Sequence, residues 1–567
     1  MNQIAKIGVY IDDRLSKRYW EYGQNVFALF LHEVLGRLRV PYQTIKDIDE
    51  VKTNDFDIVI AGFSPETKDE GEKILQYMTD GGTVLALANL NQLAPRLGYK
   101  TGKEINEGYA QYDHEKYTKL RFLNASPWNS IHNNGDYVHK GVVYEKGTQP
   151  SFNTPLFQQL PIGEGKFHRC SVDIMKTIVN LQQGKEPLFH DGVPAPDNSA
   201  EIVDNVLKVD DMYAMDWDED RKTTETNQSY FAYPYADLWR EVLFNYLINL
   251  ALDKDLTVPF VGYWPDQVKS VALMSHDSDY NQDEHAETTL DLLNETGIKS
   301  TWCMILPGYS KEIYNRVKEE GHELAFHYNA VHVDEGVWSR EAFHEQFTEI
   351  KENIGQIPIL SNKNHLTRYE GWGELFEWCE ETGIQSDQTY GPSKKGNLGF
   401  LFGTCHPYFP IAWGTDRNRM YDVLEAVFLT PDLETGKWGD TSIINPILDE
   451  VMNVQGVAHF LFHQIHIHRN SKVRNAFREF VSKAKSRGFT FWTGKELNEW
   501  ERLKRTVFIN EINDLNHIQY KANEGIKNFI VYVPTKYTEN KDESVFGISC
   551  RKIVCQPDEV KKDEVNI

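Results

Sequence analysis

Residues 270–279 read SVALMSHDSD, an apolar run that ends in a cluster of polar side chains. An apolar run of this length is typical of a strand that is buried on both faces, as in a parallel sheet. The segment after it places Ala286, Leu290 and Leu293 on one face of a helix, and Gly297 is positioned to end that helix. The sequence from residue 270 therefore predicts a β-strand followed by an α-helix.

The same alternation continues to about residue 505. Further strands are predicted at STWCMIL (300–306), HELAFH (322–327), IPIL (357–360) and VAHFLFH (457–463). Helices are predicted between them, with Ser310 and Ser339 as N-caps. Repeated β-α units imply a parallel sheet, and so many in one domain favour closure into a barrel.

A second α/β pattern opens the chain. KIGVYID (6–12), DIVIAGF (57–63) and GGTVLALAN (81–89) are predicted strands of an open parallel sheet. From about residue 125 to 258 neither the helix nor the strand period is visible, so most of this stretch is expected to form surface loops. Short β-branched runs after residue 505 predict a small β module. We expect three domains, at residues 1–258, 259–505 and 506–567.

The composition limits the class of partner. With 60 Lys and Arg against 84 Asp and Glu, the formal net charge is −24, and such a chain is repelled by nucleic acid and anionic lipid. No apolar run approaches the roughly 20 residues that span a bilayer. The opening MNQIAKIGVYIDD lacks the apolar segment of a secretory signal, so we expect a cytoplasmic location. The sequence does not indicate an oligomeric state.

Polar residues stand where several predicted barrel strands end. In a β/α barrel these C-terminal strand ends converge on one cleft. Carboxylates and imidazoles brought together in this way form a ligand set for a divalent ion such as zinc, and a remaining group is available for proton transfer. The residues concerned are Asp277, Asp279, His327, His332, Asn364, His365, Arg368, His463, His466 and His468.

Aromatic and histidine side chains in the intervening loops are candidates for contacting a sugar. Trp372, His406 and Tyr408 lie in the segments RYEGW and GFLFGTCHPYFP. Aromatic faces stack on pyranose rings, and packing in the core is an equally good explanation for such residues.

The order of these motifs resembles the NodB-homology polysaccharide deacetylases, carbohydrate esterase family 4. The motifs are the paired Asp, a GHE segment followed by two His, an Arg about 40 residues later and a late strand ending in Leu-Phe-His, and they cover about residues 262–505. The resemblance implies a distorted (β/α) barrel of the NodB-homology type. It also implies a metal-dependent hydrolase that removes N-acetyl or O-acetyl groups from a carbohydrate.

The resemblance further implies a role for each matching residue. Asp277 is the general base, and His463 is the general acid. Arg368 holds the base carboxylate. The implied metal ligands are Asp279, His327 and His332.

Three departures from the family pattern leave alternatives open. The two Asp residues are separated by Ser278, so the roles of base and ligand are interchangeable between Asp277 and Asp279. The spacing from His327 to His332 is longer than in the family, which makes His365 an alternative ligand. His466 competes with His463 for the role of acid.

The first domain resembles, more weakly, the class I glutamine amidotransferase-like fold. The resemblance rests on the three strands above and on GEGKFHRCSVDIMKTIVNLQQG (163–184). It implies a doubly wound, flavodoxin-like domain, but the elbow where an active member carries Cys reads Gly62-Phe63-Ser64-Pro65. We expect this domain to be structural or to recruit ligand, with Ser64 capping the next helix.

Two other functions are compatible with the sequence. The same barrel and ion could act on a glycosidic bond, for which Asp387 is a further carboxylate, or on a small amide. A non-catalytic glycan-binding protein is the third possibility.

Overall fold

Two large β-sheets with helices packed against them form most of the chain in the computed structural model. The structure describes residues 3–112, 115–131, 138–150, 154–192, 195, 206–332, 335–513, 517–536 and 543–556. No helix within those ranges is both long enough and apolar enough to cross a membrane.

The first sheet is mixed. The strands of this region are β1 (Ile7–Ile11), β2 (Gln43–Ile45), β3 (Ile58–Phe63), β4 (Thr83–Leu87), β5 (Tyr99–Thr101), β6 (Gly108–Gln111), β7 (Leu120–Phe122), β8 (Trp128–Ser130), β9 (Val138–Glu145), β10 (Pro155–Ile162) and β11 (Gly165–Cys170). Nine of them form one sheet in the order β2-β1-β3-β4-β11-β10-β9-β6-β7, and β5 pairs with β8. The five strands from β2 to β11 run parallel, and the other four pair antiparallel.

The predicted strands of this region are present as β1, β3 and β4. The helices are α1 (Asp13–Glu21), α2 (Leu31–Arg37), α3 (Lys68–Thr79) and α4 (Ile174–Gln183). Ser64 does not cap α3, because the helix begins later and the side chain of Thr67 accepts the bond from the Glu70 backbone N–H. Ser64 is buried instead.

The prediction of surface loops over residues 125–258 is wrong for much of that stretch. It contains β9 to β11, α4, β12 (Arg221–Thr223), β13 (Ser229–Phe231) and α5 (Tyr235–Asp253). Every residue of α5 except Asn249 and Asp253 is buried. A helix that is buried all round has no amphipathic period, so the periodicity of the sequence does not reveal it.

The second sheet is parallel throughout. Its strands are β15 (Ser270–Asp277), β16 (Thr301–Met304), β17 (Glu323–Tyr328), β18 (Ser361–Asn364), β19 (Ser386–Asp387), β20 (Leu424–Glu425), β21 (Val457–Leu461) and β22 (Phe489–Trp492), and β14 (Phe260–Val261) precedes them. The order is β20-β19-β18-β17-β16-β15-β21, with β22 paired to the start of β15. A parallel bridge pairs Thr430, in the segment after β20, with Phe460 of β21.

Helices follow most strands of this region as predicted, but the described residues between β19 and β20 contain no α-helix. The helices are α6 (Asp283–Thr296), α7 (Lys311–Glu319), α8 (Arg340–Asn353), α9 (Glu374–Thr382), α10 (Ile444–Asn453), α11 (Gln464–Arg469), α12 (Ser471–Ser486) and α13 (Gly494–Lys504). Ser310 and Ser339 cap α7 and α8, and Gly297 ends α6 with φ at +61°. One strand is displaced: IPIL at 357–360 is not a strand, and β18 is the polar segment SNKN that follows it.

Short antiparallel strands follow α13. They are β23 (Phe508–Asn513), β24 (His517–Lys521), β25 (Phe529–Pro534), β26 (Glu543–Val545) and β27 (Ile548–Cys555). The hairpin of β23 and β24 stands alone, and the others form a sheet in the order β14-β25-β27-β26. β14, near residue 260, pairs antiparallel with β25. The C-terminal strands therefore pair with a segment that precedes the second sheet in the sequence.

The two large sheets share one hydrophobic core. A single cluster of buried apolar side chains extends from the first sheet through α5 into the second. In α5, the carboxylate of Asp237 accepts hydrogen bonds from Thr404 Oγ1 at 2.6 Å and from the Cys405 backbone N–H at 2.8 Å. The first 258 residues therefore pack directly against the strands and loops of the second sheet.

Candidate metal centre

Four strand ends of the second sheet bring acidic and histidine side chains to one edge. Asp277 is the last residue of β15, and Asp279 follows two residues later. His327 lies in β17, and His365 directly follows β18. His463 lies two residues beyond β21. Parallel strands end at the same edge, so residues far apart in the sequence meet there.

Asp279, His327 and His365 are spaced as ligands of one ion. Asp279 Oδ1 lies 3.6 Å from His327 Nε2 and 3.5 Å from His365 Nδ1, and the two imidazole nitrogens are 3.4 Å apart. Ligands at about 2.1 Å in a tetrahedral zinc site are about 3.4 Å from one another. Asp279 Oδ1 is buried and has no hydrogen-bond partner among the described residues. This donor set fits a divalent ion.

A hydrogen bond to the backbone fixes the tautomer that His327 needs as a metal ligand. His327 Nδ1 lies 2.8 Å from the carbonyl oxygen of Lys363, an acceptor, so Nδ1 carries the proton and donates it. The lone pair of the neutral ring is therefore on Nε2, the atom that faces Asp279. A hydrogen bond of this kind fixes the tautomer and orientation of metal-binding histidines.

Asp277 is held as a carboxylate beside the three residues. Its Oδ1 is 3.4 Å from Lys363 Nζ, and its Oδ2 is 3.9 Å from His327 Nε2 and 3.8 Å from His463 Nε2. Burial raises the pKa of Asp277, but the neighbouring side chains, Lys363 foremost and then His327 and His463, outweigh burial and lower it below its usual value. Asp277 is therefore ionised at neutral pH.

His463 is held as an imidazolium beside Asp277 and Asp279. Its Nδ1 donates to Asp432, and its Nε2 lies 3.7 Å from Asp279 Oδ2. Burial lowers the pKa of His463, but Asp432, Asp279 and Asp277 together raise it to about 10. The indole of Trp438 lies parallel to the His463 ring at 6.1 Å. His463 is therefore protonated at neutral pH.

His466 differs from His463 in its charge state. Its ring lies 5.6 Å from that of His463, and burial lowers its pKa. A neutral imidazole at this place is a weaker candidate for donating a proton than His463.

Two site residues were missed in the sequence. Lys363 is a buried lysine in the middle of β18, and Asp432 lies in the loop after β20 and contacts His463. Neither residue lies at the end of a predicted apolar strand. The search for polar residues at strand ends, which identified the other site residues, therefore does not include them. Lys363 Nζ also lies 4.4 Å from the ring centroid of Phe428 and 3.3 Å from Ser275 Oγ.

Two residues implied by the family resemblance lie elsewhere. The guanidinium of Arg368 contacts the Glu370 carboxylate and donates to the Leu207 carbonyl at 3.2 Å, and Lys363 stands beside Asp277 in its place. Arg368 follows a tight turn in which Leu366 has a φ of +53°, so its side chain points away from Asp277 toward residue 207. His332 is exposed, and His365 completes the group of three donors instead.

The three predicted sugar contacts are buried. Trp372 donates from Nε1 to the Ile411 carbonyl at 2.8 Å and packs on Trp413. His406 contacts Arg37 Nη2 at 2.9 Å, and Tyr408 donates to the Gln182 carbonyl at 3.1 Å. All three side chains are at most 4% exposed, so they have no face available for a sugar ring. The partners of His406 and Tyr408, Arg37 and Gln182, belong to the first 258 residues.

Comparison with known proteins gives structural similarities only. No protein-family model matches the chain, and no curated protein matches it. Similar solved structures include a protein described as a polysaccharide deacetylase from Mycobacterium smegmatis, with 15% identity over 45% of this chain and 98% of that one and a TM-score of 0.33. A carbohydrate esterase family 4 pseudoenzyme from Bacillus anthracis has 11% identity over 41% and 66% of the chains and a TM-score of 0.25.

A family 42 β-galactosidase mutant from G. stearothermophilus is also similar. The identity is 13% over 30% of this chain, and the TM-score is 0.23. This chain spans 28% of the length of that β-galactosidase. We therefore infer the chemistry of the site from its own residues.

Proposed function

We propose that the protein is a metal-dependent hydrolase that removes acetyl groups from a carbohydrate, at the barrel edge formed by residues 259–505. Asp279, His327 and His365 would hold a divalent ion, for which zinc fits the mixed oxygen and nitrogen donors best. When bound, such an ion supplies Lewis acidity, which activates water and polarises an acyl carbonyl. Asp277 and His463 would carry out the proton transfers.

Asp277 acts as the general base. Its carboxylate is ionised, and Lys363 at 3.4 Å holds it in place. A base must lie within hydrogen-bond reach of the water from which it takes a proton. The distance of 3.9 Å between Asp277 Oδ2 and His327 Nε2 supports this role, because water on the proposed ion would lie close to Asp277.

His463 acts as the general acid. Its Nε2 lies 3.8 Å from Asp277 Oδ2, while Asp432 holds its Nδ1. Protonation of the leaving nitrogen or oxygen completes acyl transfer to water, and a positioned imidazolium is suited to that task. The observation that supports the proposal most directly is geometric: a carboxylate and an imidazole that face each other at 3.8 Å lie beside the donor triad.

The other two functions receive less support. Asp387 is completely buried, and it accepts hydrogen bonds from Asn362 and Thr389, so it is not placed as the second carboxylate of a glycosidase. A non-catalytic glycan-binding protein would not require the ionised base and protonated acid described above. We also propose that the first 258 residues lack amidotransferase chemistry, because Cys170 is buried and its pKa is raised to about 12 by burial.

Metal analysis tests the ligand assignment. His365→Ala should lower zinc occupancy of the purified protein sharply, because it removes one of the three donors. His332→Ala removes an exposed histidine at the position that the family resemblance implies, and it should leave occupancy unchanged. Equal occupancy in both variants would contradict the proposed ligand set.

Acetate release over a panel of N-acetylated and O-acetylated glycans tests the reaction. Asp277→Asn and His463→Ala should each lower turnover by roughly 10²-fold or more while zinc is retained, since each removes a proton-transfer group. His466→Ala should have a milder effect. Zinc binding without turnover on any member of the panel would favour the glycan-binding alternative.

A further inference from the structure

A second group of metal-ligand side chains lies outside the site described above. It consists of Glu284 and His285 in the first turn of α6 and His468 in α11. One donor atom from each of these residues lies within 4.8 Å of the others, and the two imidazole ring centroids are 4.9 Å apart. None of the three takes part in the proposed hydrolysis.

His285 contains a buried polar atom that the protein leaves unsatisfied. Its side chain is 1% exposed, and its Nε2 has no hydrogen-bond partner among the described residues. A buried imidazole nitrogen without a partner costs the free energy of its lost hydration. A ligand that accepts its lone pair, such as a metal ion, removes that cost.

Thr288 fixes the tautomer of His468. Thr288 Oγ1 lies 2.8 Å from the Glu284 carbonyl oxygen and 2.8 Å from His468 Nδ1. A hydroxyl has one hydrogen, and the carbonyl can only accept it, so His468 must donate from Nδ1. The lone pair of a neutral His468 ring is therefore on Nε2, and the Thr288 contact is the kind of outer contact that orients metal-binding histidines.

We infer that Glu284, His285 and His468 form a second site for a divalent transition-metal ion. Two imidazoles and one carboxylate favour zinc or nickel over magnesium or calcium, which prefer oxygen donors. The ion would link α6, which begins four residues after Asp279, to α11, which begins directly after His463. Binding there would brace the two segments that carry a metal ligand and the general acid of the first site.

Zinc stoichiometry of the full-length apoprotein, measured by equilibrium dialysis and elemental analysis, tests this inference. His468→Ala should remove one equivalent of zinc, and the remaining equivalent should depend on His365. His468 is only partly buried, so this variant is expected to fold. His344→Ala, which removes a histidine that contacts Glu381 on the surface, is the matched control and should change nothing.

Variants of Thr288 test how His468 is oriented. Thr288→Val removes the hydroxyl and should weaken zinc binding at the second site by about tenfold or more, while Thr288→Ser should restore it. Both measurements are made in the His365→Ala protein, so that only the second site is observed.

The proposals for the two metal sites can be contradicted independently. If His365→Ala alone leaves the stoichiometry unchanged, the proposed function loses its metal site, and the second site is unaffected. If the protein with His365→Ala binds no zinc, or binds it equally well with and without His468→Ala, the second site is overturned.

Discussion

Lys363 is the clearest example of a site residue that the sequence pattern does not predict. It is completely buried, and its Nζ lies 3.4 Å from Asp277 Oδ1. Arg368, the residue that the family resemblance implies for this task, contacts Glu370 instead. A buried carboxylate needs a nearby cation to remain ionised, and Lys363 supplies it.

Replacement of the two cations distinguishes their roles. Lys363→Met should lower turnover by roughly 10²-fold while zinc occupancy is retained, because the base loses its charge partner but the ion ligands remain. Arg368→Met is the matched control and should leave turnover close to that of the unaltered protein. Acetate release and zinc analysis on the same preparations measure both effects. A larger loss of turnover in Arg368→Met than in Lys363→Met would show that Arg368, and not Lys363, stabilises the base.

His168 makes the folded state sensitive to acid. It lies in β11, its Nδ1 is 2.9 Å from Tyr246 Oη, and burial lowers its pKa to about 3. In the unfolded chain a histidine binds its proton near pH 6.5. At this residue the unfolded state therefore binds more protons than the folded state between about pH 6.5 and 3, and the contribution of His168 to the free energy of unfolding falls by about 1.4 kcal/mol per pH unit as the pH is lowered through this range.

Thermal or denaturant unfolding at several pH values measures this contribution. His168→Gln should reduce the pH dependence of the free energy of unfolding by about one proton over that range. The surface replacement His344→Gln is the control. An unchanged pH dependence in His168→Gln would show that His168 is not held neutral in the fold.

At the scale of elements, β18 explains why one strand was misplaced. Its residues Ser361–Asn364 are all polar and all buried. Asn362 donates to Asp387 at 2.6 Å and Ser361 donates to Glu323 at 2.6 Å, so neighbouring strands satisfy these polar groups. Strand prediction from apolar runs chooses the preceding IPIL, because it assumes that a buried strand is apolar.

The segment Leu207–Asp211 holds two loops at the edge of the barrel. Asp210 accepts hydrogen bonds from the backbone N–H groups of Ser393 and Lys394 at 3.0 and 2.9 Å. The Ser393 carbonyl in turn accepts from Trp438 Nε1 at 3.0 Å, and the Trp438 ring lies against His463. Asp210 is thereby linked to His463, the proposed general acid, through Ser393 and Trp438.

Loss of Asp210 should therefore affect turnover more than metal binding. Asp210→Ala frees the backbone at residues 393 and 394, and we expect turnover to fall by about tenfold while zinc occupancy remains. Asp218→Ala, at an exposed position, is the matched control. Parallel loss of zinc and turnover in Asp210→Ala would indicate general unfolding rather than positioning of His463.

At the scale of the whole molecule, the first 258 residues and the barrel are joined by buried charges. Arg37 of α2 is completely buried, donates to the Pro407 carbonyl and lies 3.4 Å from Glu501 of α13. Arg505 forms two 2.7 Å bonds with Glu33. Removal of one partner leaves a buried charge without compensation, which costs several kcal/mol.

A chain that begins at residue 259 should therefore not fold as a soluble protein. It would lose Asp237, the acceptor for Thr404 and Cys405, and it would expose the apolar surface that α5 covers. Size-exclusion chromatography should show aggregation, and co-expression with residues 1–258 should restore a soluble complex. A soluble, zinc-binding 259–567 fragment would show that the barrel is an independent domain.

The alternation of strands and helices from residue 270 onward can be read from the sequence alone. The sequence also identified Asp277, Asp279, His327 and His463, and it offered His365 as an alternative ligand. Apolar periodicity, caps and the position of a residue at a strand end are local properties, so they can be read along the chain.

The tertiary structure alone decided which polar groups meet. It placed Lys363 beside Asp277 and Asp432 beside His463, and it turned Arg368 toward residue 207. It also buried α5, Trp372 and Tyr408 between the two sheets. The physical reason is that the free energy of burying a charge or an aromatic ring depends on partners from distant segments, which no local pattern contains.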